Sequence, residues 1–153
     1  MKEFDYELDY KTLDFTDEET RKLYRIGRGE QGVLLVRPYT DDICRFWRFK
    51  TPEIAKKSAA KIYEMYLIYR DKKDFIGMDM CRKFLEMGFT RSRRYANHRD
   101  GKKYDKEGNI IPQEKDHATC HFEKSDTIFK KVRDIVAKSE TYVKMRKEWR
   151  SEE

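Results

Sequence analysis

The chain has 153 residues, which is enough for one domain, residues 1–153, built around one hydrophobic core. Charged residues make up 42% of it, but the 14% share of aromatic residues argues against a disordered protein, because disordered chains are poor in large rings. The net charge of +6 suits solubility as well as polyanion binding, so the location of the positive charge is more informative than its sum.

The N-terminal half carries candidate strands. Residues 4–10 alternate between large apolar and charged side chains, a period of two that fits an extended segment with one buried face. Thr16 is then a candidate N-cap for a short helix. Residues 33–36 form an apolar run of strand length that Pro38 ends, and residues 45–49 follow a turn, so these two runs predict an antiparallel hairpin.

The middle of the chain predicts two helices. Thr51 can cap the first, a proline follows at the position where its missing N–H costs nothing, and the apolar stripe extends to about Arg70. The second begins at Phe75 and has one apolar face and one charged face. The sequence leaves open whether this helix ends at Gly88 or continues to Asn97.

Two further helices are predicted to close the chain, with Ser125 and Ser139 as candidate caps. Taken together, the elements predict an α+β domain. In it, a small antiparallel sheet from the N-terminal half packs against a helical hairpin and the closing C-terminal helices.

GRGEQGV, residues 27–33, contains the pattern G-x-G-x-x-G. A dinucleotide-binding loop needs this pattern after a strand and before a helix, whereas here it follows a predicted helix and precedes a predicted strand. A kinase-type loop is not supported either, because no HRD or DFG motif follows. The pattern therefore indicates a tight turn with positive φ at glycine, and it leaves open an anion-binding nest of backbone amides assisted by Arg28.

The cysteines and histidines do not predict a metal or cofactor site. Cys44, Cys81 and Cys120 are widely spaced and form no CxxC pair, which indicates reduced thiols in a cytosolic compartment. His117, Cys120 and His121 lie together as HATCH, but a tetrahedral zinc site needs a fourth ligand or a water, and the spacing matches no zinc motif. We therefore predict an ordinary loop, no metal and no cofactor.

The N-terminus and the hydropathy bear on location. The segment MKEFDYELDY is acidic and aromatic, unlike a signal peptide. No apolar run approaches membrane-spanning length. We therefore expect a cytoplasmic protein with no membrane partner.

The stretch MGFTRSRRYANHRDGKKYD, residues 87–105, concentrates positive charge with aromatic rings between the cations. Cations bind phosphates and rings stack on bases, so this pattern is typical of a nucleic-acid surface. With Arg28 of the glycine turn, the candidate contacts are Arg91, Arg93, Arg94, Tyr95, His98, Arg99, Lys102 and Lys103. The alternative is a solvated face whose arginines pair with carboxylates of the acidic N-terminal segment.

Three blocks in a fixed order, GRGEQGVLLVRPY, WRFKTPEIA and GMDMCRKFLEMGFTRSRRYANHRDGKKYD, carry a resemblance to a known family. They resemble an uncharacterised domain-of-unknown-function family of small single-domain proteins from bacteria and their viruses. The resemblance covers about residues 6–105. It implies an intracellular protein, and the product of a viral accessory gene is one form that such a protein takes. It assigns no activity and no catalytic residue.

The sequence supports hypotheses from three functional classes. The first is a non-enzymatic module that binds nucleic acid or another polyanion through residues 87–105. The second is a small-anion or nucleotide-binding enzyme with a pocket between the glycine turn and residues 91–98, and with Glu30, Asp79 or His98 as acid or base. This second class requires Arg28, Glu30, Arg94 and His98 to converge. The third is a module that binds a protein partner.

Overall fold

The computed structural model describes residues 2–98, 104–114 and 121–153, apart from the side chain of His121. Within these ranges the protein is helical and contains no strand or sheet, so the predicted α+β class with its antiparallel sheet is wrong. A 3-10 helix, Tyr10–Thr12, precedes the α-helices. These are α1 (Glu18–Arg21), α2 (Tyr39–Cys44), α3 (Pro52–Asp71), α4 (Phe75–Asn97), α5 (His121–Lys138) and α6 (Glu140–Ser151).

The predicted hairpin strands are replaced by turns because local groups satisfy the backbone. The Val33 N–H donates to the carbonyl of Glu30 at 3.1 Å, which is a turn bond rather than a strand pairing. The hydroxyl of Thr40 donates to the Val33 carbonyl at 2.9 Å and accepts from the Val36 N–H at 3.0 Å. In addition, α2 occupies the position predicted for the connecting turn. The apolar run therefore forms a compact loop that buries Val33 and Val36 and leaves Leu34 exposed, and no second strand pairs with it in the described part of the chain.

The predicted helical hairpin of α3 and α4 is confirmed. The Thr51 hydroxyl accepts a hydrogen bond from the first turn of α3 at 3.2 Å, and Pro52 is its first residue. The Asp74 carboxylate caps α4 by accepting from the Gly77 N–H at 3.3 Å. The helix runs through Gly88 to its end, so the first half of residues 87–105 is mounted on a rigid helix.

The core is centred on α4, which packs against α3 and α5, while α6 packs on both α4 and α5. Two glycines of α4 allow this close approach. A Cβ at Gly77 would overlap the ring of Tyr69 in α3, and one at Gly88 would lie 2.5 Å from the ring of Phe129 in α5. None of the described helices is both long and apolar enough to cross a membrane.

Gly88→Ala tests this close packing. We expect it to lower the free energy of unfolding by about 1–2 kcal/mol, because overpacking outweighs the roughly 1 kcal/mol by which alanine favours a helix. Phe129 is fully buried and has little room to move away. Urea unfolding followed by circular dichroism measures the change. In a Phe129→Leu background the cost should shrink, whereas an equal cost in both backgrounds would contradict the close approach.

Candidate functional site

A carboxylate lies at the centre of the molecule. Asp79 of α4 is 0% exposed, and it accepts hydrogen bonds from the hydroxyl of Tyr24, the hydroxyl of Tyr142 at 2.6 Å and Nε of Arg82 at 2.8 Å. Burial favours the neutral acid, but the charges of Arg82 and Lys83 outweigh it and hold the pKa of Asp79 at about 2. Asp79 is therefore ionised at neutral pH and joins α4 to α6 and to the N-terminal half.

Lys83 lies one helical turn beyond Asp79 and is also fully buried. Its ammonium donates to the carbonyl of Arg25 at 3.3 Å and lies 3.9 Å from Asp79 Oδ2. The ring centroids of Phe4 and Tyr24 lie 4.9 Å and 4.7 Å from it. Burial lowers the pKa of Lys83 to about 7, since the attraction of Asp79 offsets only part of the lost hydration.

The glycine turn at residues 27–32 has the positive φ values expected of it, +67°, +54° and +77° at Gly27, Gly29 and Gly32. Two of its carbonyls accept hydrogen bonds from guanidinium groups: Gly27 from Arg150 at 2.9 Å and Gly29 from Arg82 at 2.9 Å. The turn therefore fixes the position of an arginine from α6 and one from α4.

A groove of about 690 Å³, the basic groove, opens where this turn meets α4, α5 and α6. Its lining contains two carboxylates and six cationic side chains: Glu86, Asp134, Arg28, Arg82, Arg133, Arg146, Lys147 and Arg150. Arg133 contacts Glu86 at 2.6 Å and Asp134 at 2.8 Å, so one guanidinium bridges both carboxylates. Arg28 and Arg150 pair with carboxylates outside the lining, Glu3 at 3.0 Å and Glu153 at 3.4 Å. Arg146 and Lys147 are exposed and form no ion pair within the described residues.

Asp79 supports the basic groove from inside the protein. Tyr142 and Arg82 both line the groove, and both donate hydrogen bonds to the Asp79 carboxylate. Arg82 is held at its other end by the Gly29 carbonyl, and its side chain is only 11% exposed. The lining is therefore anchored to a buried charge before any ligand arrives.

A second cavity, of about 350 Å³, brings together three of the predicted residues: Arg28, Glu30 and Arg91. Arg28 lines both this cavity and the basic groove. Glu30 accepts a hydrogen bond from the Thr90 hydroxyl at 2.7 Å, and the Arg28 N–H donates to the Gln31 side chain at 2.8 Å. Because that amide is already bonded within the turn, it is not part of an open anion-binding nest.

The other predicted residues are more dispersed. Arg93 donates to Asp126 of α5 at 2.8 Å, whereas Arg28 pairs with Glu3 of the acidic N-terminal segment at 3.0 Å. Arg94 is exposed, whereas His98 is buried at the end of α4. Neither Arg94 nor His98 lines the cavity that contains Arg28 and Glu30. Some predicted residues lie outside the described residues, namely Arg99, Lys102, Lys103, His117, Cys120 and the side chain of His121.

A groove of about 780 Å³, the aromatic groove, lies beside the C-terminal end of α4. The ring centroid of Tyr95 lies 5.7 Å from that of Phe49 and 5.4 Å from that of Phe122, and Trp47 lies 5.2 Å from Phe49. The lining also includes Arg48, Lys50 and Ile54. Tyr95 was predicted as a stacking residue from its sequence neighbours, but its ring partners Phe49 and Phe122 come from distant segments.

Most residues of the basic groove were not predicted from the sequence. One signal was available in KMRKEWR, residues 144–150, because Arg146 and Arg150 are four residues apart and must share a helix side. Arg82 gave no signal because it resembles an ordinary surface partner of Glu86 in an i,i+4 pattern, and Arg133 gave none because no motif surrounds it. Within the described residues, no cluster of three or more His, Cys, Asp or Glu side chains could hold a metal ion.

Neither curated proteins nor solved structures provide a significant match to this chain. A family model described as a domain of unknown function, DUF4385, matches residues 5–152, which is nearly the whole chain. The match confirms the resemblance inferred from the three sequence blocks and extends it through α6. The chain belongs to the DUF4385 family of domains of unknown function.

Proposed function

We propose that the protein is a nucleic-acid-binding module whose basic groove holds the phosphate backbone. The observation that carries this proposal is the pair of exposed cations in the groove, Arg146 and Lys147, which form no ion pair within the described residues. The other four cations of the lining each contact a carboxylate. Cations in such positions displace the counterions of a polyanion, which supplies most of the affinity for a phosphate backbone.

The extent of the cationic surface favours a polymer over a single small anion. Arg28 lines the basic groove and also the second cavity, where Arg91 of α4 lies. Cations therefore continue from α6, past the glycine turn, to the later part of α4. Successive phosphates of one backbone can use such a series of sites, whereas a small anion would use only one of them.

Several of these cations are held in place before binding. Arg82 bonds to Asp79 and to the Gly29 carbonyl, and Arg150 bonds to the Gly27 carbonyl. Side chains that are already ordered lose little conformational entropy when a ligand binds. Arg82 and Arg150 would thus give the groove a defined shape, and the freer Arg146 and Lys147 would adapt to the phosphates.

The proposal is tested by fluorescence anisotropy with labelled single- and double-stranded DNA and RNA. At about 0.1 M salt, the double variant Arg146→Ala/Lys147→Ala should bind about 10- to 100-fold more weakly, because two phosphate contacts are lost. Lys56→Ala/Lys57→Ala is the matched control, since both lysines are exposed on α3 and line neither cavity.

Two outcomes would contradict the proposal. One is an absence of binding to every nucleic acid at low salt. The other is an equal loss of affinity in the groove variant and in the α3 control. Tight binding of a free nucleotide with no oligonucleotide binding would instead favour a small-anion site at Arg28, Glu30 and Arg91.

A further inference from the structure

We infer that the aromatic groove is a base-stacking site and that the preferred ligand is therefore a single-stranded nucleic acid. This inference rests on the proposed function and specifies the class of nucleic acid. It concerns the surface formed by Trp47, Phe49, Tyr95 and Phe122, which lies apart from the basic groove and shares no lining residue with it.

The rings of the aromatic groove are packed in a way that leaves part of their surface uncovered. Tyr95 is tilted by 43° to Phe49 and by 32° to Phe122, so it is not stacked face to face on either neighbour. Trp47 and Tyr95 are half-buried, and Ile54 on the wall is 39% exposed. Unpaired bases are flat and apolar on both faces, and they stack on such rings with little dependence on sequence.

The charges beside these rings fit the same ligand. Arg48 and Lys50 line the aromatic groove, and both side chains are exposed. Arg48 donates to the backbone carbonyls of Cys44 at 3.1 Å and Trp47 at 2.6 Å, which holds its guanidinium at the C-terminal end of α2. A base on the rings would place its phosphate near these cations, whereas a purely apolar ligand would make no use of them.

The aromatic groove also continues the cationic series along α4. Arg91 lines the second cavity with Arg28, and Tyr95 follows Arg91 by four residues. Residues four apart lie on the same side of a helix, about 6 Å apart along its axis. A strand held by Arg28 and Arg91 would therefore reach Tyr95 with its next nucleotides.

A duplex cannot use this site, because its bases are already stacked and paired within the helix. Duplex nucleic acid would contact only the cations, and a single strand would gain the stacking energy in addition. Stacking on one aromatic side chain contributes about 1–3 kcal/mol per base, so its loss should weaken single-strand binding about 5- to 150-fold.

The experiment compares Tyr95→Ala with Tyr95→Phe, using a labelled oligonucleotide of about 12 nucleotides as a single strand and as a duplex. Tyr95→Ala should weaken binding of the single strand and leave binding of the duplex unchanged. Tyr95→Phe keeps the ring and should bind both ligands as the wild type does. Urea unfolding of each variant checks that the fold is retained.

A second readout does not depend on changing Tyr95. In a Trp149→Phe variant, Trp47 is the only remaining tryptophan, and a stacked base should quench its fluorescence when the single strand is added. The duplex should not quench it.

Equal losses for single strand and duplex in Tyr95→Ala, or no quenching of Trp47 at saturation, would overturn the inference. Salt-dependent binding that Tyr95→Ala leaves intact for both ligands would also overturn it, while the basic groove proposal would stand. An absence of binding to any nucleic acid would remove both.

Discussion

Asp79→Ala should lower the free energy of unfolding by about 3–5 kcal/mol, the cost of removing one partner from a buried ionic network. The substitution would leave the hydroxyls of Tyr24 and Tyr142 and Nε of Arg82 without their acceptor in the interior. It would also leave the charge of Arg82 uncompensated, and burial makes such a charge expensive. Since small domains are stable by only about 5–15 kcal/mol, this loss would be a large fraction of the total.

Urea unfolding followed by circular dichroism measures this cost, with Asp71→Ala as the matched control. Asp71 is an exposed carboxylate at the end of α3 that pairs with Arg70 at 3.2 Å, so its removal should change stability by less than about 0.5 kcal/mol. If Asp79→Ala proved as stable as Asp71→Ala, the carboxylate would not be the hub that joins α4, α6 and the N-terminal half. The conclusion that Asp79 supports the lining of the basic groove would then be wrong as well.

The free energy of unfolding should rise by about 1–2 kcal/mol between about pH 7 and about pH 8.5 because of the titration of Lys83. In the folded protein, burial lowers the pKa of Lys83 to about 7, whereas its ordinary value is 10.5. Between these values the unfolded chain binds more protons than the folded protein, so raising the pH favours folding. Below the folded pKa both states are protonated, and the contribution of Lys83 no longer changes.

Lys83→Met removes the titrating group and keeps most of the side-chain volume, so this part of the pH dependence should disappear. The comparison is urea unfolding of both proteins at about pH 7 and about pH 8.5, because groups that titrate in both proteins cancel in the difference between their slopes. Burial raises the pKa values of Cys81 and Tyr24, so ionisation of these groups in the unfolded chain lowers stability at higher pH. An identical slope in the variant and the wild type would contradict the assignment to Lys83.

The helical hairpin was predictable because its signals are local. Thr51 and the following proline define the start of α3, and the apolar face of α4 repeats at helical spacing. The length of α4 was not predictable, since Gly88 can end a helix. In the structure, Gly88 makes room for Phe129 from a segment about forty residues later, and that contact is not visible in the local sequence.

The sheet was predicted wrongly because an apolar run of strand length does not identify the partner it packs against. Residues 33–36 follow three glycines with positive φ, and Thr40 closes the segment on itself through both of its hydrogen bonds. With the backbone satisfied within a few residues, the run packs as a loop and offers no edge to a second strand.

The candidate site was predictable only where its residues adjoin in sequence. Residues 87–105 include Arg91 and Tyr95, and each of these lines one of the cavities. The basic groove combines side chains from the glycine turn, α4, α5 and α6, and no single window of sequence contains more than three of its cations. Tertiary packing assembles it, so composition and spacing could indicate a basic protein but not this groove.

The most direct test of the basic groove is the salt dependence of its affinity for DNA. The slope of log K against log salt concentration reports the number of phosphates that the protein neutralises, at about 0.9 per contact on duplex DNA and about 0.7 on a single strand. We predict that Arg146→Ala/Lys147→Ala reduces the magnitude of the slope by about 1.4 to 1.8, while Lys56→Ala/Lys57→Ala leaves it unchanged. An unchanged slope in the groove variant, or an equal reduction in the α3 control, would contradict phosphate binding at this surface.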